Sequence, residues 1–230
     1  MNQLPQFELG YIRGGQVAGV FMESLATALI YDAQVWNVWR GRIVPVKCAH
    51  YLNVGRNQVV AQFCDRYAAE CPVFVFADTD HKWTPPQLMR LVACCTPETP
   101  IVSALYWACD EEGQQVRPVL LRRQADESLV TDWEYPADAM FERDVVGMGL
   151  CAIRTDLLLG MGDQTGDRWF DFDHTRDGTF MPEDNAFCRR AQERGAKIYV
   201  HTGIRIGHLK EALFESEDQK RNHFPRRAKP

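Results

Sequence analysis

Apolar positions recur along the first hundred residues with two alternating periods. Phe7–Ile12 reads as a strand, and Arg13-Gly14-Gly15 as a flexible turn behind it. Val17, Val20, Phe21, Leu25, Ala28 and Leu29 then follow at helical spacing. Ile43–Val46 predicts a second strand. From Asn57 a second helix gathers Val60, Phe63, Cys64 and Tyr67 on one face. Val73–Ala77 is a continuous apolar run, the pattern of a strand covered on both sides. Pro85-Pro86 opens a third helix with Leu88, Leu91, Val92 and Cys95 facing inward. Ile101–Trp107 predicts a fourth strand. Residues 1–107 therefore read βαβαβαβ, which predicts an α/β fold with a layered sheet.

The pattern changes after that. Val116–Leu121 and Leu129–Trp133 read as strands with no helix between them. Val145–Ile153 is apolar but carries Gly147 and Gly149. Asp163–Thr179 reads as a polar loop with Trp169 and Phe170 embedded in it. Pro182–Arg194 predicts a helix stopped by Gly195. Ile198–Val200 and Ile204–Ile206 read as two short strands. No internal repeat or low-complexity block interrupts the chain.

Composition narrows the class. The chain has 230 residues, 46% hydrophobic and 25% charged, enough apolar material for one large core. The net charge of −5 disfavours a whole-protein grip on nucleic acid. The last eleven residues, KRNHFPRRAKP, carry five Lys or Arg and no acid. Such a basic tail either touches a membrane surface or polyanion, or is simply solvated. The eight cysteines form no CxxC pair, and several lie in apolar stretches, where free cysteine packs as a small hydrophobe. Met1–Gly10 lacks the basic start and apolar run of a secretory signal, and no apolar stretch reaches bilayer length. The expected setting is cytoplasmic, with reduced thiols.

The chemistry concentrates where the buried strand Val73–Ala77 runs into Asp78-Thr79-Asp80. Ligands of an open α/β sheet sit beyond the carboxyl ends of its strands. Two carboxylates there fit a hard divalent cation, which prefers oxygen ligands and bridges phosphates; a polar turn that happens to hold two acids also fits. Gly14-Gly15 suits close backbone approach by a nucleotide, and equally an ordinary strand–helix turn. Arg56 suits a phosphate or a base, while Asn57 suits an N-cap. Glu183-Asp184 lies in a helix first turn, where acids favour the helix dipole and where one could serve as a general base. His208 is a lone histidine after IRIG; with carboxylates it would make a credible set for Mn²⁺.

Taken together and in order, "VGRNQVVAQF", "VFVFADTDHKWTPPQL", "VVGMGLCAIRTDLL", "WFDFD" and "MPEDNAFCRRAQERGAKIYVHTGIRIGHL" resemble a GT-A-fold glycosyltransferase. The likeness spans roughly Arg56 to Leu209. The compact size is similar to enzymes of large viruses, phages and some bacteria, on a plan shared with mannosylglycerate-synthase-like enzymes.

The resemblance implies a GT-A (Rossmann-like) layered sheet with helices on both faces. It implies one catalytic domain over 1–209, with a nucleotide-binding half over about 1–107 and an acceptor half over about 108–209. The basic tail would be 210–230. The implied activity is metal-dependent transfer of a sugar, a hexosyl unit, from a UDP- or GDP-sugar to an acceptor. That acceptor could be a glycan, lipid, protein, small molecule or modified nucleobase. Mn²⁺ or Mg²⁺ would be the cofactor. Asp78 would face the ribose and the metal, Asp80 would ligate the metal, and His208 would complete that site. Arg13, Gly14, Arg56, Thr79, Gly147 and Gly149 would border the nucleotide sugar. Trp169, Phe170 and Asp171 would border the acceptor. Asp184 would be the base of an inverting reaction, with Glu183 beside it. Two rivals remain at this level. A sugar nucleotidyltransferase shares the sheet, acids and metal but calls for a Lys-bearing Gly-rich loop near the N-terminus, where this chain has only Arg13-Gly14-Gly15. An inactive glycan- or nucleotide-binding module is the other.

Overall fold

The structure, a computed structural model, describes residues 4–48, 51–109 and 116–210. The basic tail lies outside the described residues from 211 onward. Helices and strands alternate through the first half: β1 (Phe7–Arg13), α1 (Gly19–Tyr31), β2 (Ile43–Lys47), α2 (Leu52–Tyr67), β3 (Val73–Ala77), α3 (Pro85–Cys94) and β4 (Ile101–Leu105). The second half adds β5 (Met140–Glu142), β6 (Leu150–Arg154), α4 (Thr155–Thr165), α5 (Glu183–Glu193) and β7 (Ile198–Arg205). These seven strands make one sheet in the order β5-β7-β4-β6-β3-β1-β2. The pairs β1–β2, β1–β3 and β7–β4 are parallel, whereas β6 runs antiparallel to β3 and β4, and β5 to β7.

Side-chain alternation splits β3 between two apolar layers. Phe74 and Phe76 face the layer built with Val59, Val60 and Phe63 of α2, Leu158 of α4 and Phe187 of α5. Val73, Val75 and Ala77 face the layer built with Phe21 and Leu25 of α1 and Leu88 and Leu91 of α3. All five β3 residues are buried, which accounts for the unbroken apolar run. Because five strands share one direction, their carboxyl ends gather on one rim. The antiparallel β6 brings its leading segment, Gly147–Gly149, to that same rim, where Asp78 N–H donates to the Gly149 carbonyl at 3.0 Å.

Several elements depart from the sequence reading. Helix α2 starts at Leu52, five residues before the expected Asn57, and its first turn exposes Leu52 and Val54. Those exposed apolar residues blur the amphipathic signal, and Tyr51 offers no side-chain cap. Asn57 is thus mid-helix and caps nothing. Helix α4 is absent from the sequence reading and takes up the first three residues of the loop expected over 163–179; Gly160 and Gly162 weaken its propensity. Of the apolar run 145–153 only the part from Leu150 onward is strand, and that strand continues to Arg154. The two strands expected near 198–206 are one, β7, with an irregularity between His201 and Arg205. The expected strands near 116–133 form two small hairpins, 107–109 with 116–118 and 121–123 with 129–131.

Among the described acids Glu8 alone is 0% exposed, and neither of its carboxylate oxygens has a hydrogen-bond partner there. Burial pushes its pKa up to about 8, against the pull of Arg42 and Arg66. The folded protein therefore keeps a proton that the unfolded chain loses near pH 4.5. Stability from this group is full below that pH and falls as pH rises toward 8, by roughly 3 kcal/mol at neutral pH. Glu8→Leu is expected to raise the melting temperature at neutral pH and to flatten its pH dependence. Parallel pH–stability curves for wild type and Glu8→Leu would refute this.

Candidate active site

The rim beyond β3 carries two charge clusters. The first surrounds Asp80. His81 is pressed beneath Gly149, where an added Cβ would lie 2.6 Å from its Nε2. Two-residue pairing of His81–Lys82 with Gly207–His208 brings the distant histidine alongside. The His81 and His208 rings stack at 4.2 Å and 13°, and Tyr106 stands edge-on to both. His81 Nδ1 lies 2.8 Å from Asp80 Oδ1, and His208 Nε2 lies 3.1 Å from Asp80 Oδ2. His81 is 2% exposed, and neither of its ring nitrogens has hydrogen-bond geometry with any described group.

The tautomer of His208 is informative. Its Nδ1 lies 2.8 Å from the Trp107 carbonyl, an acceptor, so Nδ1 carries the proton and donates it. In the neutral ring Nε2 then presents a lone pair toward a carboxylate oxygen. A cation between them resolves that repulsion, as does a second proton on the ring. Donation of one ring N–H to a backbone carbonyl is also the usual support for a metal-bound histidine. Burial pushes the Asp80 carboxyl up, but the imidazoles of His208 and His81 outweigh it and hold the group well below the usual carboxylate range. Asp80, His81 and His208 offer ligand atoms all within 4.8 Å of one another. One carboxylate and two imidazoles suit a first-row ion such as Mn²⁺ better than Mg²⁺, which prefers oxygen. The residues present therefore fit the cofactor that the resemblance implies, with His81 in the set and Asp78 outside it.

Asp78 belongs to the second cluster. Its Oδ1 and Oδ2 accept from Arg56 Nη1 and Nη2 at 3.1 and 3.3 Å. Arg56 Nε reaches Glu183 Oε1 at 3.4 Å. Arg56 is 2% exposed and lies over the Phe76 and Phe170 rings, at 5.3 and 5.8 Å. Its guanidinium is thus turned to carboxylates within the protein. Burial disfavours the charge, yet Asp78, Asp184 and Glu183 outweigh it and raise the Arg56 pKa. Burial also raises the Asp184 carboxyl; Arg56 pulls it back, Glu183 and Asp78 push it up again, and the result is about 7. Asp184 keeps a partly open face toward solvent, unlike Glu183. Burial, then Asp184 and Asp78, push the Tyr106 phenol well above its ordinary range, so it stays a neutral hydroxyl.

The remaining expected residues divide. Thr79 and Asp80 line a cavity of about 330 Å³ together with Gln16, Val17, Ala18, Leu209 and Lys210. Arg13 is exposed at the carboxyl end of β1, and Gly14 borders open space. Gly147 and Gly149 are needed for a reason internal to the fold: a Cβ at Gly147 would overlap the Tyr106 hydroxyl, as one at Gly149 would meet His81. Trp169 and Phe170, expected to border the acceptor, are 1% and 0% exposed. The Trp169 indole donates to the Leu158 carbonyl at 2.7 Å, and Phe170 stacks on Phe187 at 4.4 Å. Asp171 is half-buried and accepts from Asn57 Nδ2 at 2.8 Å. His81 and Tyr106 were not singled out from the sequence. The signal for His81 was its place directly after Asp78-Thr79-Asp80; Tyr106 carried none beyond its place at the end of a strand. A larger cavity of about 380 Å³ lies at the other end of the sheet, by Pro100, Arg154 and Arg194. It is remote from these carboxylates, and Arg154 there is already paired with Asp156.

Sheet order, helices on both faces and the carboxylate rim together define a mixed α/β fold of the GT-A type. It is similar to the crystal structure of A197 from STIV, with 14% identity and a TM-score of 0.57 over 90% of this chain and 86% of that one. It is also similar to GalNAc-T7 crystallised with UDP, GalNAc and Mn²⁺, with 11% identity and a TM-score of 0.61. That match covers 91% of this chain but spans only 44% of GalNAc-T7. No family profile matches the sequence. No curated protein matches it either. Among the described residues, no helix is long and apolar enough to cross a membrane.

Proposed function

We propose that this chain is a metal-dependent glycosyltransferase that moves a sugar, a hexosyl unit, from a UDP- or GDP-sugar to a hydroxyl-bearing acceptor. The observation that carries this reading is the Asp80–His81–His208 group at the carboxyl end of β3, with His208 already oriented by the Trp107 carbonyl. Its place on a GT-A-type sheet, beside a cavity of about 330 Å³, supports the same reading. Asp80, His81 and His208 would hold the ion. A divalent cation there supplies positive charge against the diphosphate leaving group.

The chain's own groups account for the rest. The acceptor oxygen forms a bond to the anomeric carbon, the bond from that carbon to the diphosphate oxygen breaks, and its electron pair leaves with the diphosphate. Asp184 takes the acceptor hydroxyl proton. Burial and the neighbouring carboxylates raise the Asp184 carboxyl, which makes it a stronger base than an ordinary carboxylate and suits it to accept that proton. The rate limb governed by this base rises as pH increases through about 7.

The test combines thermal shift with donor hydrolysis. UDP or GDP with Mn²⁺ is expected to raise the melting temperature, and the same nucleotide with EDTA is not. At a hundredfold excess over Kd the stabilisation is about 2.7 kcal/mol. Absence of any shift with both nucleotides in Mn²⁺, together with no hydrolysis of UDP- or GDP-sugars, would sink the reading.

A further inference from the structure

Arg56 joins parts of the rim that are far apart in the chain. On one side its fork meets both oxygens of Asp78, just past β3, and on the other its Nε meets Glu183, the first residue of α5. The side chains of Arg56 and Glu183 are 3% and 9% exposed, so solvent screens this junction little. A planar guanidinium bonded through both Nη atoms fixes orientation as well as distance, which a lysine ammonium does not. Phe76 and Phe170 lie against the guanidinium and restrict its tilt. The next residue of α2 repeats the pattern: Asn57 donates to Asp171 and accepts from the Phe170 N–H, both at 2.8 Å. Of two successive residues of α2, Arg56 thus joins α5 to the end of β3, and Asn57 fastens the Phe170–Asp171 segment to α2. Arg56 does not line the 330 Å³ cavity.

We propose that Arg56 is the positioning residue of the transfer reaction, holding Asp184 in register with the donor end of the site through Glu183. This rests on the glycosyltransferase reading above. The groups that face Asp184 are Glu183 and Cys188 on its own helix, Arg56 on α2, Asp78 after β3, Tyr106 after β4 and Cys151 in β6. Arg56 is the cation in this set. It therefore holds Asp184 in place and also keeps its proton affinity from rising further.

Two variants separate these roles. Arg56→Lys keeps the charge and loses the fork; Arg56→Met loses both. Both are expected to bind UDP or GDP with Mn²⁺ within about threefold of wild type, while turnover falls about 10²-fold, the usual consequence of a misplaced reacting group. In the free protein, a ¹³C-carboxyl NMR titration is expected to show the Asp184 midpoint moving to higher pH in Arg56→Met and less so in Arg56→Lys. Hydrogen exchange in the first turn of α5 should accelerate in both. Wild-type turnover in Arg56→Lys overturns the proposal. Nucleotide affinity falling in step with turnover also overturns it, by making Arg56 a donor-binding group. Should Arg56→Met fail to fold, Arg56→Lys alone decides by these readouts. Should the wild type bind neither nucleotide, the transferase reading fails. The free-protein measurements then still decide whether Arg56 registers Asp184: an unchanged midpoint and unchanged exchange refute it.

Discussion

Asp184→Asn is expected to lower turnover about 10²–10⁴-fold, the usual worth of general-base assistance, while UDP or GDP binding in Mn²⁺ stays near the wild-type value. The carboxamide keeps the size of the side chain but cannot accept the acceptor proton. The neighbouring Glu183 cannot substitute, because its carboxylate is committed to Arg56 and is 7% exposed. Folding should not suffer, since a neutral group at this position relieves the burial and like-charge repulsion that raise the Asp184 carboxyl to about 7. The melting temperature above neutral pH should therefore hold or rise. The opposite view makes both acids mere companions of the helix dipole, each contributing about 0.3–1 kcal/mol. It requires small stability losses and normal turnover in Asp184→Asn. Product configuration is read first by NMR, because only an inverting transfer needs this base. Normal turnover with an inverted product would remove Asp184 from the mechanism.

Asp80→Ala is expected to weaken Mn²⁺-dependent binding of UDP or GDP at least about 100-fold. Groups that merely orient metal ligands already cost 10–100-fold when removed, and Asp80 touches both imidazoles. Its side chain is 43% exposed, so the apolar layers beneath are untouched, but the imidazoles that hold its carboxyl low lose their anion, so the melting temperature without ligand should fall modestly at neutral pH with the fold kept. The nucleotide affinity left in this variant should be insensitive to EDTA. If affinity in Mn²⁺ matches wild type, Asp80 ligates nothing.

Much of this was legible along the chain. Helical and strand periods located β1, α1, β2, β3, α3 and β4, because each of those segments buries a face whose period is local. The abrupt passage from Val73–Ala77 to Asp78-Thr79-Asp80 marked the rim, and the acids after Pro182 marked the start of α5. Motif likeness and sheet order agree on the fold class.

Other features depend on which distant elements meet, and no local period carries that information. Asp78 looks equivalent to Asp80 along the chain, yet Arg56 takes both oxygens of Asp78, while Asp80 meets the two histidines and, at 3.4 Å, Lys210 Nζ. His81 follows two acids in a polar run. It becomes buried because β6 enters the sheet antiparallel between β3 and β4 and lays Gly149 against its ring, while His208 and Tyr106 pack on it from elsewhere in the chain. Trp169 and Phe170 sit among polar neighbours and read as rim residues, but packing against Leu158 and Phe187 draws them into the core. The sequence by itself determined the alternation of elements and the strand end that carries the acids, since both follow from nearest-neighbour burial. The tertiary structure decided which cation each acid meets, which histidines flank Asp80 and which aromatics are covered, since those choices are made by groups up to 130 residues apart.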